Sequence, residues 1–238
     1  MKRFAVKIQR SKRTFEQHKP NGAAVSWELR FVEMQDANCG PVSAPTWLSE
    51  VREMRGRVCY DQGHRPSFRT TKGRCEDADT VDLSAYHVIA RSLGKAVGCA
   101  RLLPLAKVRS SVIASAIGSE RFSSILKELG TTRENAAEAS RWIVVPEFRG
   151  KVGPRIVAAV WAVTRWLSLE WVFVMAGTRQ RQDLALIRMG AQALSDVGLV
   201  RSDVFEDELR LLYFNVHRPR PFMCSHIDLA AVALDLTA

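Results

Sequence analysis

The sequence predicts an α/β fold in which a central mixed sheet is flanked by helices. Three observations point there. Segments with apolar residues at helical spacing alternate with short apolar runs over most of the chain. Two such runs, Tyr86 and Val88 before it and Val97 and Cys99 after it, flank the tight turn Ser92-Leu93-Gly94-Lys95. Finally, EASRWIVVPEFRGKVGPRIV (138 to 157) reads as a strand, a basic turn and the start of a long helix, the parts of a phosphate cradle. With 238 residues the chain can bury a full core, as one large domain or a domain with an extension.

Residues 1–45 are expected to form a basic N-terminal extension. They are broken by Pro20-Asn21-Gly22 and Gly40-Pro41, and VSWELRFVEM (25 to 34) is the one piece expected to be ordered. The formal charge of the chain is +10, and its first 30 residues supply +6 of it: Lys2, Arg3, Lys7, Arg10, Lys12, Arg13, Lys19 and Arg30 against Glu16 and Glu28. Such an arm suits nucleic acid, anionic lipid or an acidic protein, and a solvated tail equally well. Nothing in the sequence resembles a recognition helix, a zinc finger or an aromatic RNA-binding motif, so nucleic acid is a minority reading. The start, MKRFAVKIQRSKR, lacks the apolar core of a signal peptide, and no apolar run approaches the roughly 20 residues of a membrane span. A cytoplasmic protein without a membrane span is expected. The five cysteines form no C-x-x-C pair and the five histidines no ligand cluster, so idle thiols and no metal are expected.

The body runs from 46 to 238. Leu48, Val51, Met54 and Val58 mark a first helix, with Thr46 or Ser49 able to cap it. After a loop over 63 to 75 come the two strands around the tight turn. A helix over 108 to 129 would bury Val112, Ile113, Ile117, Phe122, Ile125 and Leu126. A strand over 139 to 146 leads to a helix over 154 to 169, with Pro154 at its first position, where a missing N–H costs nothing. A strand over 171 to 176, a helix over 181 to 195 and a last strand near Leu209 to Val216 complete the pattern. Trp161 and Trp166 are most simply core.

The strand, basic turn and buried helix, followed by a strand and a helix ending in Gly190, resemble the GNAT acyltransferase superfamily. In that family the turn reads R/Q-x-x-G-x-G/A and its amides hold the pyrophosphate of coenzyme A. Arg149-Gly150-Lys151 matches, while Val152 and Pro154 replace the later glycines. A family acid, often Tyr four residues before the Gly of the next helix, is replaced by Leu186. A narrower resemblance is to the acyl-homoserine-lactone synthases of quorum sensing and to the related N-acyl amino acid synthases. Those chains carry an Arg, D-x-x-D, R-L-L-P and E-x-S-R followed by an aromatic. Arg55, Asp79-Thr-Val-Asp82, Arg101-Leu-Leu-Pro104 and Glu138-Ala-Ser140-Arg141-Trp142 occur here in that order, over about residues 46 to 200. Cys59 stands where the signal synthases have Phe, and their following Trp is absent, with Arg65 and Phe68 nearby. His217-Arg218-Pro219-Arg220-Pro221-Phe222 is similar to the basic-Pro-aromatic ending of the amino acid branch.

The resemblance implies a GNAT-like N-acyltransferase that moves an acyl chain from a phosphopantetheine thioester to the amine of an amino-acid-type acceptor. The donor would be acyl carrier protein, with acyl-coenzyme A as the alternative, the acceptor S-adenosylmethionine or an amino acid, and no cofactor would be held permanently. Glu138, Ser140 and Arg141 are then the catalytic candidates, and Arg55, Asp79, Asp82, Arg101 and Trp142 the substrate-binding ones. Arg149, Lys151 and Arg155 would meet the carrier protein or its phosphopantetheine arm.

The chemistry stands apart from the family. Amide formation from a thioester needs a neutral amine, and an α-amino group is mostly ammonium at neutral pH. A carboxylate of raised pKa, such as Glu138 at the mouth of an apolar strand, can take that proton directly or through water. On a regular strand Glu138, Ser140 and Trp142 share one face and Arg141 lies on the other, unless a bulge intervenes. An ion-pair network of Glu138, Arg141, Asp79, Asp82, Arg55 and Arg101 that only fixes the fold is the structural alternative. The runner-up among enzymes is a coenzyme A-dependent GNAT acyltransferase; from a different class, the rival is a non-catalytic basic adaptor that keeps the fold but binds nucleic acid or a partner through residues 1 to 30.

Overall fold

A computed structural model describes residues 24–32, 44–63, 65–109 and 111–236. Most of the basic arm, including Lys2, Arg3, Lys7, Arg10, Lys12, Arg13 and Lys19, lies outside them. Among the described residues, eight strands form one sheet: β1 (Val25–Phe31), β2 (Tyr86–Ser92), β3 (Lys95–Pro104), β4 (Ala136–Val144), β5 (Trp171–Gly177), β6 (Gln192–Ala193), β7 (Leu199–Ser202) and β8 (Asp207–Asn215). Their order is β1-β2-β3-β4-β5-β8-β6, with β7 also on β8. Only β4 and β5 pair in parallel among the described strands, so the sheet is mixed, as expected. β1 pairs along its whole length with β2, which brings residues 25–31 into the sheet although the sequence assigns them to the extension.

Among the described residues, six α-helices cover the sheet: α1 (Thr46–Gly63), α2 (Val112–Ile117), α3 (Ser119–Glu128), α4 (Arg149–Trp166), α5 (Gln182–Arg188) and α6 (Pro221–Ala233). The main core lies between the sheet and α4 with α6, where Trp161 packs edge-on against Phe214. α1 packs over Ile89 and Cys99, and α2 with α3 over Ala136 and Phe173. The face α1 turns inward carries Leu48, Val51, Arg55 and Cys59, all buried, so a guanidinium sits in the middle of an apolar stripe.

Several boundaries differ from the sequence reading, each for a physical reason. The helix expected over 108 to 129 is split by Gly118, whose φ of 91° is a left-handed conformation that ends α2 and starts α3. β4 begins three residues earlier than expected, which puts Glu138 inside the strand. α4 starts at Arg149 because a 3₁₀ turn over Pro146–Phe148 runs directly into it, leaving Pro154 in the second turn. The lost bond concerns the carbonyl of Gly150, an exposed residue. α5 ends at Arg188, since Gly190 takes a φ of 112° and the chain turns into β6. β6, β7 and α6 have no counterpart in the sequence reading.

Candidate active site

The site is built where β4 leaves its neighbours. β4 and β5 pair only from Ala136 to Ala139, opposite Trp171 to Val174; beyond that point β5 continues with β8 alone, and the two parallel strands separate. On the other edge, Arg101 faces Ser140 and Cys99 faces Ile143, so Arg141 and Trp142 together oppose Ala100. This is a β-bulge, and Arg141 takes a left-handed φ of 57° in it. A non-glycine residue held there costs on the order of 1–3 kcal/mol. The Cys99 thiol donates to the Arg141 carbonyl at 3.5 Å, and the Arg141 guanidinium pairs with Asp77 at 2.7 Å and Asp79 at 3.3 Å. The bulge therefore overturns the parity of a regular strand: Ser140 and Arg141 join one network, while Trp142 packs on the α4 side.

That network gathers most of the motif residues. Asp82, fully buried, accepts from Arg55 at 2.7 and 3.0 Å, from Arg52 at 2.9 Å and from Arg101 at 3.0 Å. Arg101 also donates to Asp79 at 2.7 Å and, through Nε, to the Ser140 hydroxyl at 2.9 Å. Arg55 pairs with Asp77 at 3.1 Å. Burial alone would raise the pKa of Asp82, but the Arg55 hydrogen bonds and the charges of Arg55 and Arg101 hold it well below the carboxylate range. Asp79 is lowered in the same way by Arg101. His87, buried beside them with Nε2 2.8 Å from the Asp82 carbonyl, is pushed down to about 4 by burial and stays neutral.

Two network members are absent from the sequence reading. Arg52 lies one helical turn before Arg55 and Asp77 two residues before Asp79, so helical spacing and an acidic cluster were the available signals. Asp77 reaches the network because its N–H bonds to the Arg52 carbonyl at 3.0 Å, along the seam where Gly56 meets Glu76. A methyl group on Gly56 would overlap the Glu76 backbone.

Glu138 stands apart from these ion pairs. It is 1% exposed, and its Oε2 accepts the Ile113 N–H at 3.0 Å near the start of α2. Burial raises its pKa; the Ile113 amide and the Arg101 charge oppose that rise without cancelling it.

A cleft of about 310 Å³ opens between α1, the bulged half of β4 and the starts of α4 and α5. Val58, Cys59 and Arg65 form one wall, Trp142 to Val144 the floor, and Arg149, Gly153, Pro154 and Gln180 to Gln182 the other side. A smaller apolar cavity of about 40 Å³ lies between β4, β5 and α4, and Trp142 lines both. Of the sequence candidates, Trp142 and Arg149 line the cleft and Ser140 the apolar cavity. Glu138, Arg55, Asp79, Asp82, Arg101 and Arg141 line neither.

The basic turn is not a failed glycine loop. Val152 is buried and packs onto Gly98 of β3, and the N–H groups of Phe148 and Arg149 are already bonded to Val145 and Pro146. Lys151 and Arg155 lie one turn apart on the exposed side of α4.

Residues 56–159 match the family model described as the acetyltransferase (GNAT) domain, and the molecule has the GNAT acyltransferase fold. Three solved structures give the resemblance its detail. TofI, solved with an inhibitor and MTA, superimposes with a TM-score of 0.58 at 15% identity, over 85% of this chain and 96% of its own. BjaI, a CoA-dependent acyl-homoserine lactone synthase solved with SAM and isopentyl-CoA, gives 0.58 at 15% identity, over 90% and 91%. The AHL synthase LasI gives 0.54 at 14% identity, over 82% and 91%. Comparison with curated protein sequences finds no match.

Proposed function

We propose that the chain is an N-acyltransferase that moves an acyl chain from a phosphopantetheine thioester, by preference that of acyl carrier protein, to the amine of an amino-acid-type acceptor. The observation that carries this reading is the separation of β4 from β5 beyond Ala139, where a cleft bearing Arg65, Arg149 and Arg181 and a small apolar cavity share Trp142 as a wall. The first has the size for a thioester arm; the second is apolar in lining, and an acyl chain would have to widen it on entering.

In the reaction the amine nitrogen attacks the thioester carbonyl carbon; the C–N bond forms, the C–S bond breaks, and the thiolate leaves. The proton shed by the amine passes to Glu138, through water because Glu138 lines neither cavity. Its raised pKa suits that task. Ser140 and Arg141 position the bulged strand, and Arg55, Asp79, Asp82 and Arg101 hold it there. With S-adenosylmethionine as acceptor, the new amide's carboxylate oxygen then bonds the methionine γ-carbon, the sulfonium C–S bond breaks and methylthioadenosine departs. With a plain amino acid the reaction ends at the amide.

Carrier protein is favoured as donor because Arg149 stands at the cleft while Lys151 and Arg155 face solvent on α4, a cationic patch suited to an acidic protein. Pro154 donates no amide, and the preceding turn consumes two more, which weakens a pyrophosphate cradle. Coenzyme A remains the second reading, since BjaI is described as CoA-dependent. The test supplies purified protein with decanoyl-carrier protein or decanoyl-coenzyme A, plus S-adenosylmethionine or mixed amino acids, and reads products by mass spectrometry. An N-acylated product supports the reading; none with any donor refutes it.

A further inference from the structure

The cleft holds a cation that the network does not use. Arg65, just before the 3₁₀ turn Pro66–Phe68, is 9% exposed and lines the cleft wall. Its Nε is buried without a hydrogen-bond partner, and its carboxylate neighbour, Asp207, lies 3.8 Å away. Asp207 is already bonded to the Arg179 N–H at 3.0 Å. The Phe205 ring lies against both Arg65 and Arg141, with guanidinium carbons 5.6 and 4.9 Å from its centroid. A buried guanidinium whose partners are a carboxylate at 3.8 Å and the weakly accepting Cys59 thiol is costly to keep, and an incoming anion would relieve that cost.

The surroundings have the same sign. Arg149 and Arg181 line the cleft too, and among the described residues no Asp or Glu does. Behind the wall, four guanidiniums (Arg52, Arg55, Arg101 and Arg141) face three carboxylates (Asp77, Asp79 and Asp82), and each of those carboxylates is taken by an arginine. A sulfonium would enter a positive field with no free acid to meet it, whereas a carboxylate is drawn in.

We propose that Arg65 reads the free carboxylate of the acceptor, and that the acceptor is an α-amino acid without a sulfonium, so that the product is an N-acyl amino acid. This rests on the N-acyltransferase reading above. A planar guanidinium offers a carboxylate two parallel N–H bonds, and its present side-chain neighbour in the wall is the weakly accepting Cys59 thiol.

The same guanidinium chemistry would suit the phosphate of the donor arm, so the experiment separates the two. The full chain is titrated calorimetrically with N-decanoylglycine and its methyl ester, and with 4′-phosphopantetheine and pantetheine, in the native protein and in Arg65→Met. The native protein is expected to bind the acid about tenfold or more tightly than the ester, as for a hydrogen bond to a charged group. Arg65→Met should lose that advantage, keep its affinity for the ester, and leave the phosphopantetheine to pantetheine ratio unchanged. Equal binding of acid and ester by the native protein overturns the proposal, whether or not the variant folds. So does an acid preference that survives in Arg65→Met, or a loss confined to phosphopantetheine. If acid and ester both fail to bind, the acyltransferase reading itself falls; if they bind equally, that reading stands and only the carboxylate assignment falls.

Discussion

Replacing Glu138 by Gln tests the proposed base in a way that separates chemistry from folding. Gln keeps an oxygen to accept the Ile113 N–H and nearly the same volume, so the contact between β4 and α2 survives. It cannot accept the amine's proton, and turnover should fall by about two orders of magnitude, roughly 2.7 kcal/mol of activation free energy. Stability should move the other way. The folded-state pKa of Glu138 lies above its unfolded value because burial disfavours the charge. Its contribution to stability is therefore complete at low pH and is lost as pH rises through the folded pKa. Gln escapes that loss, so the variant should melt at or above the native temperature at pH 8, with the two curves converging at pH 4. The assays are initial rates with decanoyl-carrier protein and thermal melts across pH. Near-native turnover in a folded variant would refute the base assignment, and a lower melting temperature at pH 8 would refute the claim that burial dominates this carboxylate.

Arg141→Ala leaves Asp77 and Asp79 without one partner each in a buried setting; a loss of about 3–5 kcal/mol is expected, read by urea unfolding, and an unchanged midpoint would show that the bulge holds without it. Asp82→Asn should destabilise more than Asp79→Asn, since Asp82 is fully buried among three arginines while Asp79 keeps some exposure; equal midpoints would contradict the geometry. The lowered pKa of Asp82 makes its contribution present above the unfolded carboxylate pKa and lost as pH falls through the folded one, so the gap between native and Asp82→Asn melts should narrow below about pH 4. Gly56→Ala touches no candidate site residue, yet it pushes the Glu76 backbone off α1; lost turnover with a lowered melting temperature is expected, and native behaviour would mean the seam is dispensable. Lys151→Glu with Arg155→Glu, both exposed on α4, should slow turnover with acyl carrier protein at low salt and spare that with acyl-coenzyme A, and a matching loss with both donors would refute a carrier-protein surface.

The sheet was legible because apolar periodicity and turn chemistry coincide in most of its strands, and the tight turn after Ser92 joins β2 and β3 as expected. β6 and β7 were not, being two and four residues long with largely exposed side chains and no burial pattern to read. α6 was hidden for the opposite reason: Pro221 to Ala233 is apolar on nearly every face, so no stripe stands out, and exposed Phe222 and Leu229 belong to it as much as buried Met223 and Ile227. Four motifs named the network, but its partners depended on the fold. Asp77 matters because Gly56 admits the Glu76 backbone, and Arg65 because the Asp203 to Glu206 turn brings Phe205 over it. Sequence spacing carries neither relation.

The structural and functional readings of the ion pairs meet at one backbone angle. Buried salt bridges are seldom more stabilising than apolar residues of equal volume, so stability alone is a poor reason to place Arg55, Arg101 and Asp82 where no solvent reaches. What they do obtain is geometry. Asp82 fixes Arg55 and Arg101; those two fix Asp77 and Asp79; and those two hold the guanidinium of the residue that carries the left-handed φ. Arg101 also grips Ser140, the residue at which β4 stops pairing with β5. A regular β4 would return Trp142 to the face of Glu138 and Ser140, removing the shared wall of the cleft and the apolar cavity. The charges thus set the shape of a site whose lining contains few of them, and their removal should alter where an acyl chain fits before it alters what is bound.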